Sequence, residues 1–176
     1  TICEMETEVA EDWKVTNVVN QINANIEQLS RWSDANIGGS LASMTDLASV
    51  KNKENGVFRL TGQDLQIDGG NSYVIAGDTT TGVPAAQTYI VKDADLIIKS
   101  DIIYGQADYS KPKTVPSAAF IVIDGDIIID ADVEELHGTF ISIDTNTSDG
   151  NPTGKVISKE VSRNQLTIYG SLIGDV

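Results

Sequence analysis

Two residue types that build catalytic and metal centres are nearly absent. Cys3 is the one cysteine and His137 the one histidine among 176 residues. A Cys/His metal cage is therefore excluded, and so is a disulfide framework. Positive charge is scarce as well. Twelve Lys and Arg, of which only Arg31, Arg59 and Arg163 are arginine, face 26 Asp and Glu, for a net charge of −14. Such a surface repels phosphate backbones and anionic lipid, which argues against nucleic acid as a partner. Apolar runs are short. None approaches the roughly 20 residues of a membrane helix, so no membrane insertion is expected in this segment. Aromatic residues are only 6%. Hydrophobic residues still make up 40%, enough for a packed core in one domain of this length.

What is present falls into two regions of different period. Val15, Val18, Val19, Ile22, Ile26 and Leu29 recur at helical spacing, which predicts an amphipathic helix over about residues 8–33. Glu4, Glu6, Glu8, Glu11 and Asp12 crowd its N-terminal side, where the helix dipole favours negative charge. Trp13 and Trp32 flank the stripe and are read as seating it on a neighbour. Gly38-Gly39 ends it, giving an N-terminal helical cap segment over 1–40. From about residue 56 the pattern becomes short β-branched runs punctuated by Gly, Asp and Asn, which predicts strands. No long amphipathic segment interrupts them, so a βαβ fold is not expected.

An internal repeat selects among the all-β architectures. Residues 89–102 read YIVKDADLIIKSDI and residues 120–133 read FIVIDGDIIIDADV. Seven of these fourteen positions are identical at an offset of 31. Partial copies are LTIYGSLI at 166–173, aligned with IVIDGDII at 121–128, and FRLTGQDL at 58–65. Units of this kind bury a face only by stacking. The predicted fold is mainly β, a single-stranded parallel β-helix over 56–176 with the N-terminal helix as a cap. Glycine is expected to supply the positive φ at its corners. Two loops should project from it, Gly105 to Ala119 and Asp144 to Gly154.

The segments TYIVKDADLIIKSDIIY, VPSAAFIVIDGDIIIDADVEELHGTFISID and NQLTIYGSLIGDV resemble a β-solenoid domain of large exported surface proteins in bacteria of the candidate phyla radiation. The alternation of GDI-type corners with apolar triplets is more loosely similar to the polymer-forming bactofilins. The resemblance covers about residues 88–176. It implies an exported, surface-associated structural protein whose chain continues beyond Val176. The N-terminal helix has no counterpart in it.

Several constellations are candidates for chemistry. Asp93/Asp95 and Asp124/Asp126 recur in successive copies. Stacked, they form a ladder of like charges that a cation could bridge. The simpler reading is that each Asp accepts hydrogen bonds from turn N–H groups. Paired acids also occur in polysaccharide-cleaving β-helices, but the second copy lacks a Lys or Arg to serve them. Asp144, Asn146 and Ser148 occupy positions 1, 3 and 5 of a calcium-loop pattern. The glycine comes one place late at Gly150, and Lys155 stands where the final acid belongs. His137 follows Glu134 and Glu135. A Glu/His pair could do acid–base work, although a solvated corner histidine is the plainer reading. Tyr73, Tyr89, Tyr104, Tyr109 and Tyr169 could form a sugar platform, but their repeat positions suggest packing. Tyr109, Lys111 and Lys113 mark the first loop as the binding loop.

The expected function is that of a non-enzymatic, exported structural or adhesive module at the cell surface, acting by self-association or loop-mediated binding. The alternatives are a carbohydrate-binding or polysaccharide-cleaving β-helix and a calcium-stabilised adhesin. No cofactor is expected except calcium, and glycans or a host or cell surface are the other expected partners.

Overall fold

The computed structural model describes residues 35–77, 82–145, 152–159 and 165–174. The predicted helix over 8–33 lies outside the described residues, as do Asn146 and Ser148 of the calcium-loop pattern. Among the described residues the only helical pieces are three 3-10 turns, Met44–Leu47, Lys53–Asn55 and Pro112–Thr114. The rest of the regular structure is strand: β1 (Ser40–Leu41), β2 (Val57–Thr61), β3 (Leu65–Ile67), β4 (Ser72–Ile75), β5 (Ala86–Lys92), β6 (Leu96–Ile98), β7 (Asp101–Tyr104), β8 (Ser117–Ile123), β9 (Ile127–Ile129), β10 (Glu135–Ile143), β11 (Val156–Ser158) and β12 (Thr167–Ile173).

Every strand pairing is parallel and joins one coil to the next. The expected parallel β-solenoid is present, with about three turns. β2, β3 and β4 form one coil, β5, β6 and β7 the next, and β8, β9 and the first part of β10 the third. The offset of 31 is the length of a coil: Phe58 pairs with Tyr89, and Tyr89 with Phe120. The next coil is shorter, because Phe140 already pairs with Phe120.

β10 serves two faces. Leu136 pairs with Ile102 of β7, whereas Thr139 to Ile143 pair with β8. Gly138, with φ +136°, makes the bend between them. β12 copies that bend. Its seven residues pair with Glu135 to Ile141, so that Gly170 lies on Gly138. This corrects the sequence alignment of LTIYGSLI with IVIDGDII. Gly170 is not a corner between two strands like Gly125, but a bend inside one continuous strand.

The corners differ from expectation in a second respect. At the equivalent position of three successive coils stand Gly62, Asp93 and Asp124, with φ +70°, +56° and +57°. Aspartate itself takes the left-handed conformation in two of them, which its short polar side chain tolerates. Gly125, the following residue, is required for space. A Cβ there would collide with the carbonyl oxygen of Ala94.

Alternation decides what fills the tube. In β3, β6 and β9 the outer residues of each triplet are buried and the middle one is not. Phe58, Tyr89, Phe120 and Phe140 stack in one interior ladder, with ring centroids 5.3, 4.8 and 5.1 Å apart. Rungs of a β-helix are spaced like neighbouring strands, about 4.8 Å, so identical rings at one position must stack. Each such pair adds about 0.5–1.5 kcal/mol to its burial. Beside this ladder, Tyr89 donates to Gln87 Oε1 at 2.6 Å, which leaves the Tyr73 hydroxyl, 3.1 Å away, to donate to Tyr89. Met44 reaches the same cluster from its 3-10 turn.

Phe120→Ala is expected to lower unfolding free energy by about 3–5 kcal/mol, because it opens a cavity between two stacked rings; chemical denaturation followed by circular dichroism measures this. Burial, with the Asp46 carboxylate adding to it, pushes the Tyr73 hydroxyl up from the ordinary tyrosine value to about 12. The folded state therefore favours the neutral phenol. Its contribution is complete below about pH 10 and disappears as pH rises through 12, a loss on the order of 2–3 kcal/mol. Denaturation midpoints should fall across that window, and Tyr73→Phe should flatten the fall.

Candidate functional site

The corner aspartates form a hydrogen-bonded staircase. Asp64 Oδ1 accepts from the Asp95 N–H at 3.0 Å, Asp95 Oδ1 from the Asp126 N–H at 2.8 Å, and Asp126 Oδ1 from the Lys155 N–H at 2.9 Å. Each carboxylate thus closes the corner of the following coil. The staircase begins at Asp64, which is not among the candidates the sequence offers. The FRLTGQDL echo at 58–65 is the signal that contains it. Asp93 and Asp124 stand at the left-handed positions just before this row. Asp124 accepts from both the N–H and the hydroxyl of Thr145 at 2.7 Å. Asp93 is exposed.

Asp144 is the described member of the calcium-loop trio. Its Oδ2 accepts from the Thr153 N–H at 3.3 Å across the loop base. Among the described residues, no three His, Cys, Asp or Glu side chains gather as metal ligands. No described helix is long and apolar enough to cross a membrane.

The first loop is shorter than predicted, because β8 already begins at Ser117. It is pinned by Asp108, whose Oδ1 accepts from the N–H and hydroxyl of Ser110 and whose Oδ2 pairs with Lys111 at 3.1 Å. The Ser110 hydroxyl first, and Lys111 second, hold the Asp108 carboxyl below its ordinary value. Lys111 is therefore tied to the loop itself. Lys113 is exposed and Tyr109 is 82% exposed at the loop tip. Tyr73 and Tyr89 are fully buried, which removes two of the five tyrosines from any sugar platform.

His137 is not at a corner. It points outward from the middle of β10, and both ring nitrogens are engaged. Nδ1 accepts from the Tyr104 N–H at 3.3 Å, and Nε2 lies 2.5 Å from Glu135 Oε1. The backbone donor at Nδ1 fixes the proton on Nε2, which the ring gives to Glu135. Tyr104 and Tyr169 meet the ring edge-on from either side, at centroid distances of 5.1 and 4.8 Å. Asp101 Oδ1, on β7, accepts from the N–H groups of Glu134 and Glu135 at 2.7 and 3.0 Å. Tyr104 and Tyr169 were expected to pack within the repeat, but they meet at His137 from strands 33 residues before and 32 after.

β12 is the last described strand, and among the described residues it pairs with β10 alone. Ile168 and Leu172 lie on Leu136 and Phe140, two fully buried interior residues. Leu172 is nevertheless 37% exposed and its neighbour Ile173 45%. Ile157 and Tyr169 are exposed as well.

The chain matches no family model, no curated protein and no solved structure.

Asp95→Ala removes the acceptor of the Asp126 N–H and should cost about 1 kcal/mol, as loss of a capping side chain does. Asp95→Asn keeps a carbonyl acceptor and should cost less. Thermal denaturation of both variants, with and without EDTA, separates this role from cation bridging: a midpoint that falls on chelation in the parent protein would assign the row to a bound cation.

Proposed function

We propose that the chain is a non-enzymatic structural module of an exported, cell-surface protein, which acts by stacking its β-coils against further coils. The free edge that β12 has among the described residues carries this reading. Ile168 and Leu172 lie over interior positions of the preceding coil, and among the described residues β12 has β10 as its one strand partner, with Leu172 37% exposed. Exposed strand edges of this kind pair with other strands unless they are blocked. The coil geometry supplies a template for such pairing, because each strand already accepts a parallel partner in register over up to seven residues.

The acidic surface fits the same role. Carboxylates line the corners, where they cap turns and keep neighbouring solenoids apart through like-charge repulsion. Association would then be confined to the ends. Loop-mediated adhesion through Tyr109 and Lys113, both exposed, is compatible with this arrangement. A bound calcium at Asp144 and a carbohydrate ligand remain alternatives within the same module, and the structure offers each less support than the free edge of β12 offers stacking.

Sedimentation velocity over a wide concentration range tests the proposal. The parent protein should associate as concentration rises, and Leu172→Asp should hold it monomeric while its circular dichroism spectrum remains unchanged. A parent protein that stays monomeric at millimolar concentration, with or without added calcium, would overturn the assembly reading.

A further inference from the structure

The outward face built from β7, β10 and β12 carries a second feature. Two adjacent rows run across it. Asp101, Glu135 and Thr167 form one, and Ile103, His137 and Tyr169 the other, as the pairings of Leu136 with Ile102 and of β10 with β12 require. Neither row contains a Lys or Arg. Tyr104, His137 and Tyr169 meet at steep angles, 88° and 63° between planes, so the three rings make a corner and do not stack flat. Tyr169 is 58% exposed and leaves its ring open to solvent. The Glu135 carboxylate sits at the foot of this corner, held by the His137 Nε2–H.

The chemical inventory is one-sided. The imidazole has spent its single N–H on Glu135 and its lone pair on Tyr104. What the corner presents to solvent is the π-electron density of Tyr169 and the Glu135 carboxylate oxygen, while Tyr104 packs against the core behind them. Both attract a cation, and both are served best by a planar one, which stacks on an aromatic face while donating in pairs to a carboxylate. The net charge of −14 raises the local concentration of basic ligands and repels acidic ones. We infer that the Tyr104–His137–Tyr169 corner, with Glu135, binds an arginine side chain of a basic partner polypeptide.

His137 is the chain's one histidine, so its imidazole protons report on the corner without ambiguity in a proton NMR spectrum. The intact protein is titrated with N-acetyl-arginine amide in about 150 mM salt, which screens diffuse attraction. The His137 and Tyr169 ring signals should shift saturably. The neutral isostere N-acetyl-citrulline amide should leave them in place. Tyr169→Ala and Glu135→Gln should each weaken binding by about three- to tenfold; Glu135→Gln keeps an acceptor for His137 and so protects the local fold. The inference is overturned if the arginine probe shifts only the corner aspartates, if citrulline or a methyl glycoside shifts His137 equally, or if Tyr169→Ala binds like the parent. The parent titration against citrulline decides the matter even if a variant does not fold. Monomeric behaviour in sedimentation would leave this result standing, so the two proposals fail separately.

Discussion

Backbone hydrogen bonds link each coil to the next at strand spacing, and this places every side chain on the residue one coil behind it. Like therefore meets like. For apolar and aromatic residues the result is favourable, as the ladder from Phe58 to Phe140 shows. For aspartate it would be unfavourable, because stacked carboxylates repel. The corner resolves the conflict by offset: Asp95 reaches forward to the Asp126 N–H, and Asp126 to that of Lys155. The charge that repetition concentrates along one line is spent on satisfying backbone donors that the turns leave open.

The same constraint explains the exposure at β12. An interior position is buried only when coils lie on both sides of it. Leu136 and Phe140 have both, whereas Ile168 and Leu172 have one. Their exposure needs no unusual residue, only the lack of a further coil among the described residues. The outward face at β12 is freer to diverge. Its rows combine residues from coils of unequal length, and the Tyr104–His137–Tyr169 corner arises there and not within the regular repeat.

The solenoid and its 31-residue step were legible because identity at a fixed offset reports directly on stacking: Ile90 over Ile121 and Asp95 over Asp126 are both repeat matches and register neighbours or near neighbours in space. The final copy is ambiguous in sequence, because Ile-Tyr-Gly-Ser-Leu-Ile resembles both Ile-Asp-Gly-Asp-Ile-Ile and Leu-His-Gly-Thr-Phe-Ile, and it pairs with the latter. A glycine can mark a corner or a bend, and strand pairing alone distinguishes the two. Glycine supplies the positive φ at Gly62, as expected, but Asp93 and Asp124 take it at the equivalent corners of the next two coils, while Gly125 answers a steric need.

By itself, then, the sequence determined the parallel stack, the apolar identity of its interior and the recurrence of aspartate at its corners, since all three follow from periodicity along the chain. The tertiary structure alone decided which coil is short, that β10 and β12 each turn through a glycine bend, and that His137 lies between two tyrosines with Glu135 beneath. These depend on loop lengths that shift the register between distant strands. A one-residue change of register moves a side chain to the opposite face, so no local pattern encodes which outward residues become neighbours.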